Sequence, residues 1–351
     1  MTKKKTPNSK MDIVSQEQPP VHSKSADEFG KIISIIEQAR NRAFNAVNRE
    51  LISMYWEIGK FVSDRVRVGN WGQSVVSELS KTIQSYYVGI RGFSSSNIWR
   101  MKQFYETYRD NEKLAALLRE ISWTNHLLIL AGSKTDEARE FYVNLCIKDS
   151  LSSRELDRQI DSMLYERSQI SSIKNSSVLV KSTGLAPLRD NYVLEFLDIP
   201  HGHHEKDFRK SIVSNIKNFI LEFGKDFTFI GEEYRIQVGN TDFSIDLLFY
   251  NRDLSCLVAI ELKIGKFKPE HLGQLEFYLE ALDRNVKKEH ENPSVGLVLC
   301  ATKDDAVVEY ALKRSMSPTM IADYQLHLPD KKLLQNKLRE LTAISEQENE
   351  D

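Results

Sequence analysis

The chain has few of the residues that mark secreted and membrane proteins. Only three of its 351 residues are cysteine, and Cys146, Cys256 and Cys300 lie far apart, with no C-x-x-C pair. This spacing argues against a disulfide framework, and we expect three reduced thiols in apolar surroundings. No apolar run reaches the roughly 20 residues of a membrane-spanning helix, and polar residues follow the basic start where a signal peptide would have its apolar core. We therefore expect a cytoplasmic bacterial protein with no membrane partner.

An excess of charge of one sign is also missing. Lys and Arg number 48 against 50 Asp and Glu, which gives a formal net charge of −2. Such a chain has no bulk attraction for polyanions, so any contact with nucleic acid depends on local basic patches. Hydrophobic residues make up 41% of the chain, and at this length they are enough for two domains with separate cores.

The N-terminal part is predicted to be helical. Residues 1–27 are rich in Lys, Ser, Pro and Gln and are predicted to be a disordered tail. Apolar residues recur at helical spacing through 28–168. Gly92, a capping serine at 94 or 95 and the helix that follows resemble a helix-turn-helix, although a plain helical scaffold with a solvated basic face fits the same pattern. The candidate DNA contacts on that helix are Ser96, Asn97, Arg100 and Lys102.

Composition then divides the chain. Residues 169–190 are Ser-rich and contain Gly184 and Pro187, so they are predicted to be a linker. Residues 191–343 are predicted to form a second domain that alternates strands and helices. Residues 344–351 are predicted to be an acidic tail.

The strongest chemical signal lies on two neighbouring strands of the second domain. Asp246 interrupts an apolar run, and a carboxylate in a buried strand is costly unless it is paired, hydrogen-bonded or bound to a cation. In the strand predicted at 256–263, Glu261 and Lys263 share one face because side chains alternate. The short turn at 251–253 pairs the two strands as a hairpin, which can bring Asp246 beside Glu261.

This grouping is suited to phosphodiester cleavage. Two adjacent carboxylates repel each other when both are ionised, and a hard divalent cation relieves the repulsion. Mg²⁺ or Mn²⁺ would bind Asp246 and Glu261, keep several waters and accept phosphate oxygens. Lys263 could orient or help deprotonate the attacking water and offset charge in the transition state. The alternative is an ordinary Glu-Lys pair at a strand end, but both carboxylates interrupt apolar runs, which favours a site.

These residues occur in phrases that resemble a known family. The phrases FSIDLLFYNRDLSCLVAIELKIGKFKPEHLGQLEFYL and NPSVGLVLCATKDD are similar to the YhcG-like PDDEXK family of the PD-(D/E)xK nuclease superfamily. GFSSSNIWRMKQFY and SWTNHLLIL resemble the N-terminal domain of that family, for which a DNA-binding role is implied. The resemblance implies an α/β, restriction-endonuclease-like mixed sheet flanked by helices, after an all-α helix-turn-helix or winged-helix-like domain.

The resemblance also implies roles for individual residues. Asp246 and Glu261 would be metal ligands and Lys263 the catalytic lysine. Gln274 and Tyr278 match the Q-x-x-x-Y motif of the RecB-like branch, and they lie at i and i+4 on one helix face. Their alternative role is that of a half-buried helix face.

Many members of the superfamily add an acidic residue from the first helix of the fold. Glu222, near the end of that helix, and Glu205, about five turns earlier, are the two candidates. We favour Glu222 as a third metal ligand, because a helix end that leads into the sheet lies nearer the strand ends. A carboxylate at a helix C-terminus also opposes the helix dipole, which is unfavourable for stability alone.

The predicted function is that of a Mg²⁺-dependent endonuclease that acts on nucleic acid, with DNA favoured as the substrate. One rival is a non-catalytic nucleic-acid-binding or assembly subunit of a defence or mobile-element system. A second rival is a DNA-binding regulator led by the N-terminal helices. A homo-oligomer or a defence-system partner protein is compatible with these functions. The intact set of Asp246, Glu261 and Lys263 argues against a decayed site.

Overall fold

The computed structural model describes residues 22–69, 71–175, 188–197, 199, 203–313, 315 and 317–350. Its first half is helical and its second half is a mixed sheet with helices, so the predicted fold class is confirmed. The helices of the first half are α1 His22–Arg67, α2 Gln73–Tyr86, α3 Ser95–Tyr108, α4 Glu112–Ala115, α5 Trp123–Gly132, α6 Asp136–Asp149, α7 Ser153–Asp161 and α8 Leu164–Asn175, with a 3₁₀ helix at Leu117–Glu120. No strand lies within residues 22–69 and 71–175.

The second half of α1 is the centre of the helical region. Ile52 and Val62 of α1 are fully buried, and α3 packs along this part of the helix. The contact is close enough to require glycine at position 59, because a Cβ there would lie 2.1 Å from the carbonyl oxygen of Met101. Ser94 caps α3 by accepting a hydrogen bond from the backbone N–H of Asn97 at 3.2 Å, as one of the two predicted capping serines.

The second half forms one six-stranded sheet. Its elements are β1 Asn191–Val193, α9 Glu205–Ser214, α10 Ile216–Phe223, β2 Phe227–Val238, β3 Thr241–Asn251, β4 Cys256–Lys266, α11 Pro269–Asn285, β5 Val295–Thr302, α12 Asp305–Leu312, β6 Thr319–Gln325 and α13 Lys331–Glu350. The strand order is β1-β6-β5-β4-β3-β2. The pairs β1-β6, β6-β5 and β5-β4 are parallel. The pairs β4-β3 and β3-β2 are antiparallel hairpins.

Strand β4 is covered on both faces. Val258, Ile260 and Leu262 belong to the core that contains Phe208 of α9 and Phe219 of α10. Leu257 and Ala259 belong to the opposite core, which contains Leu275 and Leu279 of α11. The alternation predicted for this strand is therefore confirmed, and it turns Glu261 and Lys263 toward the α11 side of the sheet.

Helices extend beyond the predicted limits at three places. α1 begins at His22, within the predicted tail, of which residues 1–21 lie outside the described part. α8 continues to Asn175, into the predicted linker, of which residues 176–187 are also outside the described part. α13 continues to Glu350, through most of the predicted acidic tail. Adding a residue to an existing helix gains one hydrogen bond without a new nucleation cost, so polar composition alone does not end a helix. The domain limits themselves stay predictions.

Two helical segments of the chain are broken. The segment after Leu151 breaks at Met163, whose φ of 56° is left-handed, and Arg167 Nε donates a hydrogen bond to the carbonyl of Ser162 at 2.8 Å. The helix expected over 205–223 breaks at Asn215, which ends α9 and begins α10. The second break changes which side chains of this segment reach the sheet.

Glu222, at the end of α10, is the centre of a buried junction between the two halves. Its carboxylate accepts hydrogen bonds from Arg167 at 2.8 Å, from Arg158 at 3.2 Å and from the backbone N–H of Val193 at 2.9 Å. Arg189 donates a hydrogen bond to the backbone carbonyl oxygen of Glu222 at 2.7 Å. Burial opposes ionisation, but Arg167, Arg189 and Arg158 outweigh it and hold the pKa of Glu222 below its ordinary value. The junction therefore consists of an ionised carboxylate matched by arginines of both halves.

We predict that Glu222→Gln destabilises the protein by about 3 kcal/mol, because removing one partner of a buried ion pair leaves the others uncompensated. Chemical denaturation measures the change. Glu78→Gln, at an exposed position of α2, is the control and should leave stability unchanged. Because the folded pKa is lowered, the stabilisation is present above the unfolded pKa of 4.5 and is lost as the pH falls through the folded value. Equal denaturation midpoints for Glu222→Gln and wild type would contradict the prediction.

Candidate active site

The β3-β4 hairpin brings the two predicted carboxylates together. Leu247 pairs with Ile260, and continuing this register by one residue sets Asp246 opposite Glu261. The backbone N–H of Leu262 donates a hydrogen bond to Asp246 Oδ2 at 3.0 Å. The side chains of Asp246 and Glu261 are 17% and 4% exposed. Two carboxylates are thus held side by side at the end of a buried hairpin.

Lys263 joins this pair through its ammonium group. Its Nζ lies 3.0 Å from Glu261 Oε1 and 3.4 Å from Oε2 of Glu205, which begins α9. Burial works to lower the pKa of Lys263, but the charge and hydrogen bond of Glu261 outweigh it, and the pKa is raised above its ordinary value. Lys263 is therefore a cation, fixed between two carboxylates.

Arg209 is a site residue that the sequence did not reveal. Its NH1 donates to Asp246 Oδ1 at 2.8 Å, and its NH2 donates to Glu233 on β2. Arg209 and Glu205 lie at i and i+4 on α9, so one helix face supplies partners for both Asp246 and Lys263. The spacing E-x-x-x-R just before the first strands is the signal that could have identified it.

The electrostatics of Glu261 differ from those of an ordinary surface glutamate. Burial raises its pKa to about 7, with a further contribution from Asp246 and an opposing one from Lys263. Its Oε2 is buried and has no hydrogen-bond partner in the described chain. A buried carboxylate oxygen without a partner is costly, and a cation or a proton removes that cost.

Gln274 and Tyr278 lie together on α11. Gln274 Nε2 donates to the Tyr278 hydroxyl at 2.9 Å. Burial raises the pKa of Tyr278, and the charges of Glu261 and Asp246 add to the effect, so the hydroxyl is within electrostatic reach of both carboxylates. His271 lies one turn before Gln274 on the same helix, and the sequence analysis did not single it out. Burial lowers the pKa of His271, and the charge of Lys263 lowers it further.

The expectation that Glu222 supplies a third metal ligand is wrong. Its carboxylate is fully buried in the junction with Arg158 and Arg167. The break at Asn215 separates α10 from α9, and α9 alone carries a carboxylate to Lys263. Glu205, the other candidate, is therefore the acidic residue of this segment that lies at the site.

The four predicted DNA contacts of the N-terminal half have different surroundings. Asn97 is buried, accepts a hydrogen bond from Trp123 Nε1 at 2.9 Å and donates to the carbonyl of Gly92. It holds the turn before α3, so its assignment as a DNA contact is wrong. Lys102 is only partly exposed and forms an ion pair with Glu106 at 2.6 Å.

Ser96 and Arg100 are exposed and line an open groove of about 610 Å³ between α2 and α3. The other residues that line it are Gln73, Ser77, Ser95, Trp99 and Gln103. Hydroxyl, amide and guanidinium groups are the donors that commonly contact the phosphate backbone of DNA.

The donor set at the hairpin fits a small divalent cation. Among the described residues, no group of three or more His, Cys, Asp or Glu is arranged around a common metal position. Mg²⁺ does not require such a cage, because it commonly binds through one or two carboxylates and completes its shell with water and phosphate oxygens. Asp246 and Glu261 supply two adjacent carboxylates, and the buried Oε2 of Glu261 lacks another partner.

Two family models match most of the chain. One, described as the DUF1016 N-terminal domain, matches residues 31–167, and the other, the YhcG PDDEXK nuclease domain, matches residues 186–339. The Escherichia coli (strain K12) protein named "Putative nuclease YhcG" is 30% identical over 359 residues, which cover 90% of this chain and 94% of that protein. The chain belongs to the YhcG nuclease family. The resemblance noted in the sequence is thereby confirmed, and the hairpin with Asp246, Glu261 and Lys263 lies inside the region matched to the YhcG nuclease domain.

Solved structures give weaker matches. A repair endonuclease from Pyrococcus abyssi has a TM-score of 0.25 and 17% identity over 37% of this chain and 50% of that one. The EndoMS structure in its apo form has a TM-score of 0.24 and 17% identity over 38% of this chain and 49% of that one. This chain matches about half the length of each of these proteins.

The helices of the described chain include no candidate for a membrane span. Within the described ranges of the chain, every helix is too short or too polar to cross a bilayer. All three cysteines are buried and free, in agreement with the expectation from their spacing.

We predict that Glu261 makes the metal-free protein less stable as the pH rises. Its folded pKa of about 7 lies above the unfolded value of 4.5, so the stability that it contributes is complete below pH 4.5 and is lost as the pH rises to about 7. The loss should amount to roughly 3 kcal/mol over the whole range and be absent in Glu261→Gln. Thermal unfolding with chelator from pH 5 to 8 measures it.

Glu270→Gln, at an exposed position of α11, is the matched control and should keep the wild-type pH dependence. Parallel stability curves for wild type and Glu261→Gln would show that Glu261 does not titrate in this range.

Proposed function

We propose that this protein is a metal-dependent endonuclease that hydrolyses phosphodiester bonds in nucleic acid, with DNA as its favoured substrate. The observation that carries the proposal is the group formed by the buried Glu261 and the partly buried Asp246 and Lys263 at the end of the β3-β4 hairpin. Membership of the YhcG nuclease family supports it.

In this proposal Asp246 and Glu261 hold Mg²⁺ or Mn²⁺. When bound, such an ion polarises a phosphate oxygen and lowers the pKa of a coordinated water. Lys263 lies two residues beyond Glu261, on the same face of β4, so its ammonium group is directed at the same place. Because the pKa of Lys263 is raised, we assign it the stabilisation of negative charge on the phosphate and not the removal of a proton.

The surrounding residues position these groups. Arg209 and the Leu262 N–H each bind one oxygen of Asp246, which fixes the plane of its carboxylate. Glu205 holds Lys263 from the opposite side to Glu261. Tyr278 has a hydroxyl that can donate to a phosphate oxygen, and Gln274 donates a hydrogen bond to that hydroxyl.

The N-terminal half would position the nucleic acid. The groove between α2 and α3 offers Ser96 and Arg100 at its wall, with Trp99 and Gln103 beside them. Lys102 would contribute after leaving Glu106, at the cost of one half-exposed ion pair. Because the net charge of the chain is −2, the proposed binding rests on this local donor set.

The rival function is that of a non-catalytic nucleic-acid-binding or assembly subunit, for example with a defence-system partner. One observation favours it. Arg209 and Lys263 already neutralise much of the charge on Asp246 and Glu261, so the fold does not need a metal for charge balance. The unpartnered oxygen of Glu261 argues the other way, because a purely structural pair would satisfy both oxygens.

Cleavage assays decide between the two functions. We predict that a panel of linear, nicked, branched and single-stranded DNA and RNA contains a substrate that is cut with Mg²⁺ or Mn²⁺ and not with chelator. Asp246→Asn and Lys263→Met should lower the rate by about 100-fold or more. The first removes a carboxylate that would hold the metal, and the second removes the cation that would offset charge on the phosphate. Asp242→Asn on β3 and Lys266→Met on β4 are exposed controls on the same strands.

Metal-independent cutting, or full activity of Asp246→Asn, would overturn the hydrolytic proposal. If every substrate survives while wild type and both variants bind nucleic acid equally, the assembly function is favoured.

DNA binding tests the role of the N-terminal groove. We predict that Arg100→Ala weakens binding of duplex DNA by about 1 kcal/mol and lowers the slope of log affinity against log salt by about one, because one phosphate contact is lost. Fluorescence anisotropy in an Asp246→Asn background measures binding without cleavage. Arg109→Ala, which removes an exposed arginine just after α3, is the control. Wild-type salt slopes for both variants would exclude Arg100 as a contact.

A further inference from the structure

The first half of α1 has an apolar surface that the rest of the described chain leaves exposed. Residues 29–47 are exposed, whereas Ile52, Tyr55 and Val62 of the second half are buried. The large apolar side chains of the exposed half are Phe29, Ile32, Ile33, Ile35, Ile36, Phe44 and Val47, each with 51% to 70% of its area open to solvent. Single exposed apolar residues are ordinary, but a contiguous apolar face of this size marks an interaction surface.

This surface does not continue the face that α1 buries in its own domain. We define the α1 stripe as Phe29, Ile32, Ile36, Ala39, Ala43 and Ala46. At about 100° per residue, the α1 stripe lies roughly 150° around the helix from the core-facing stripe of Ile52, Tyr55 and Val62. Ile33 and Phe44 lie on the core-facing side, but the residues of the α1 stripe do not extend the domain core.

The order of sizes in the α1 stripe distinguishes between two ways of pairing with a second copy. The spacing alternates three and four residues, as in a coiled coil, with three large residues followed by three alanines. In a parallel pair, each residue of the stripe would face the same residue of the other helix. The three alanines would then face alanines, and the space between the helices would be underfilled there. An antiparallel pair centred between Glu37 and Gln38 sets large against small in every layer: Phe29 on Ala46, Ile32 on Ala43 and Ile36 on Ala39.

Charge and area agree with the antiparallel arrangement. It brings Glu37 of one copy within about 3 Å, along the helix axis, of Arg40 of the other, on the same flank. Arg42 then lies beside Ile35 of the partner helix, so the basic residues do not face each other. The large side chains of the α1 stripe, together with Ile35 and Val47 on its flanks, expose several hundred Å² per copy. This is a substantial part of the ~800 Å² per partner of a standard interface.

We propose that the α1 stripe is the surface through which two copies of this chain associate, as an antiparallel pair of helices. The inference is independent of the nuclease site, because it uses only residues of α1. It assigns a function to the apolar residues that the helical domain leaves in water.

Sedimentation velocity on the full chain tests the association. Wild type should form a concentration-dependent dimer, and Ile32→Glu/Ile36→Glu should weaken dimerisation by roughly 100-fold or more, because the pair would bury four carboxylates. Gln38→Glu/Asn41→Glu adds the same charge to the opposite face of the same turns and should leave the dimer intact. A wild type that is monomeric throughout the micromolar range, or an undiminished Ile32→Glu/Ile36→Glu dimer, would overturn the proposal.

Disulfide trapping tests the direction of the helices. In the antiparallel pair, Ile32 lies against Ala43 and about 16 Å along the axis from Ile32 of the other copy. A mixture of Ile32→Cys and Ala43→Cys chains should therefore form a disulfide-linked dimer, and Ile32→Cys alone should not. The three native cysteines are buried, which keeps the background low. Cross-linking of Ile32→Cys alone, or no cross-linking in the mixture, would contradict the arrangement.

Discussion

Two buried carboxylates on neighbouring strands, Asp246 and Glu261, are the constraint on which the second half of the structure depends. Ionised groups in a low-dielectric core are tolerated only with close partners. The partners are Lys263 from the same strand and Arg209 from α9, with the Leu262 N–H as a third. α9 must therefore pack at this end of the sheet, and its position follows from charge compensation as much as from the apolar contact of Phe208.

Glu222 and Glu261 show how the same burial leads to two different results. Glu222 is matched by arginines and a backbone N–H, and its pKa is lowered. Glu261 has one lysine, a neighbouring carboxylate and an oxygen without a partner, and its pKa is raised to about 7. A fully satisfied carboxylate resists further ligands, whereas an incompletely satisfied one favours a cation or a proton. The difference assigns Glu222 to stability and supports Glu261 as part of a reactive site.

The local sequence pattern was sufficient to predict the β3-β4 hairpin. It was insufficient to predict which side chains of other elements pack around that hairpin. The alternation of β4 and the short turn before it predict that Asp246 lies by Glu261, because both follow from period and register. The error at Glu222 follows from the break at Asn215, which redirects the helix and is not marked by Pro or Gly. The omission of Arg209 has another cause, because its partner Asp246 lies 37 residues away in the chain. Asn97 has the character of a surface residue in the sequence, but its partner Trp123 lies 26 residues away. Contacts of that range depend on packing that periodicity does not encode.

The junction around Glu222 also limits how the two halves can act together. Arg158 and Arg167 reach from the helical half to a carboxylate that is closed to water, so separating the halves would strand several charges without partners. The groove beside α3 and the carboxylates of the hairpin therefore belong to two halves that buried ion pairs hold together. An antiparallel pair of α1 helices has a two-fold axis, as a DNA duplex does, and would present two such chains in opposite directions. In the proposed nuclease, one site per chain would cut one strand, and the proposed two-fold pair would supply the second site that cutting both strands requires.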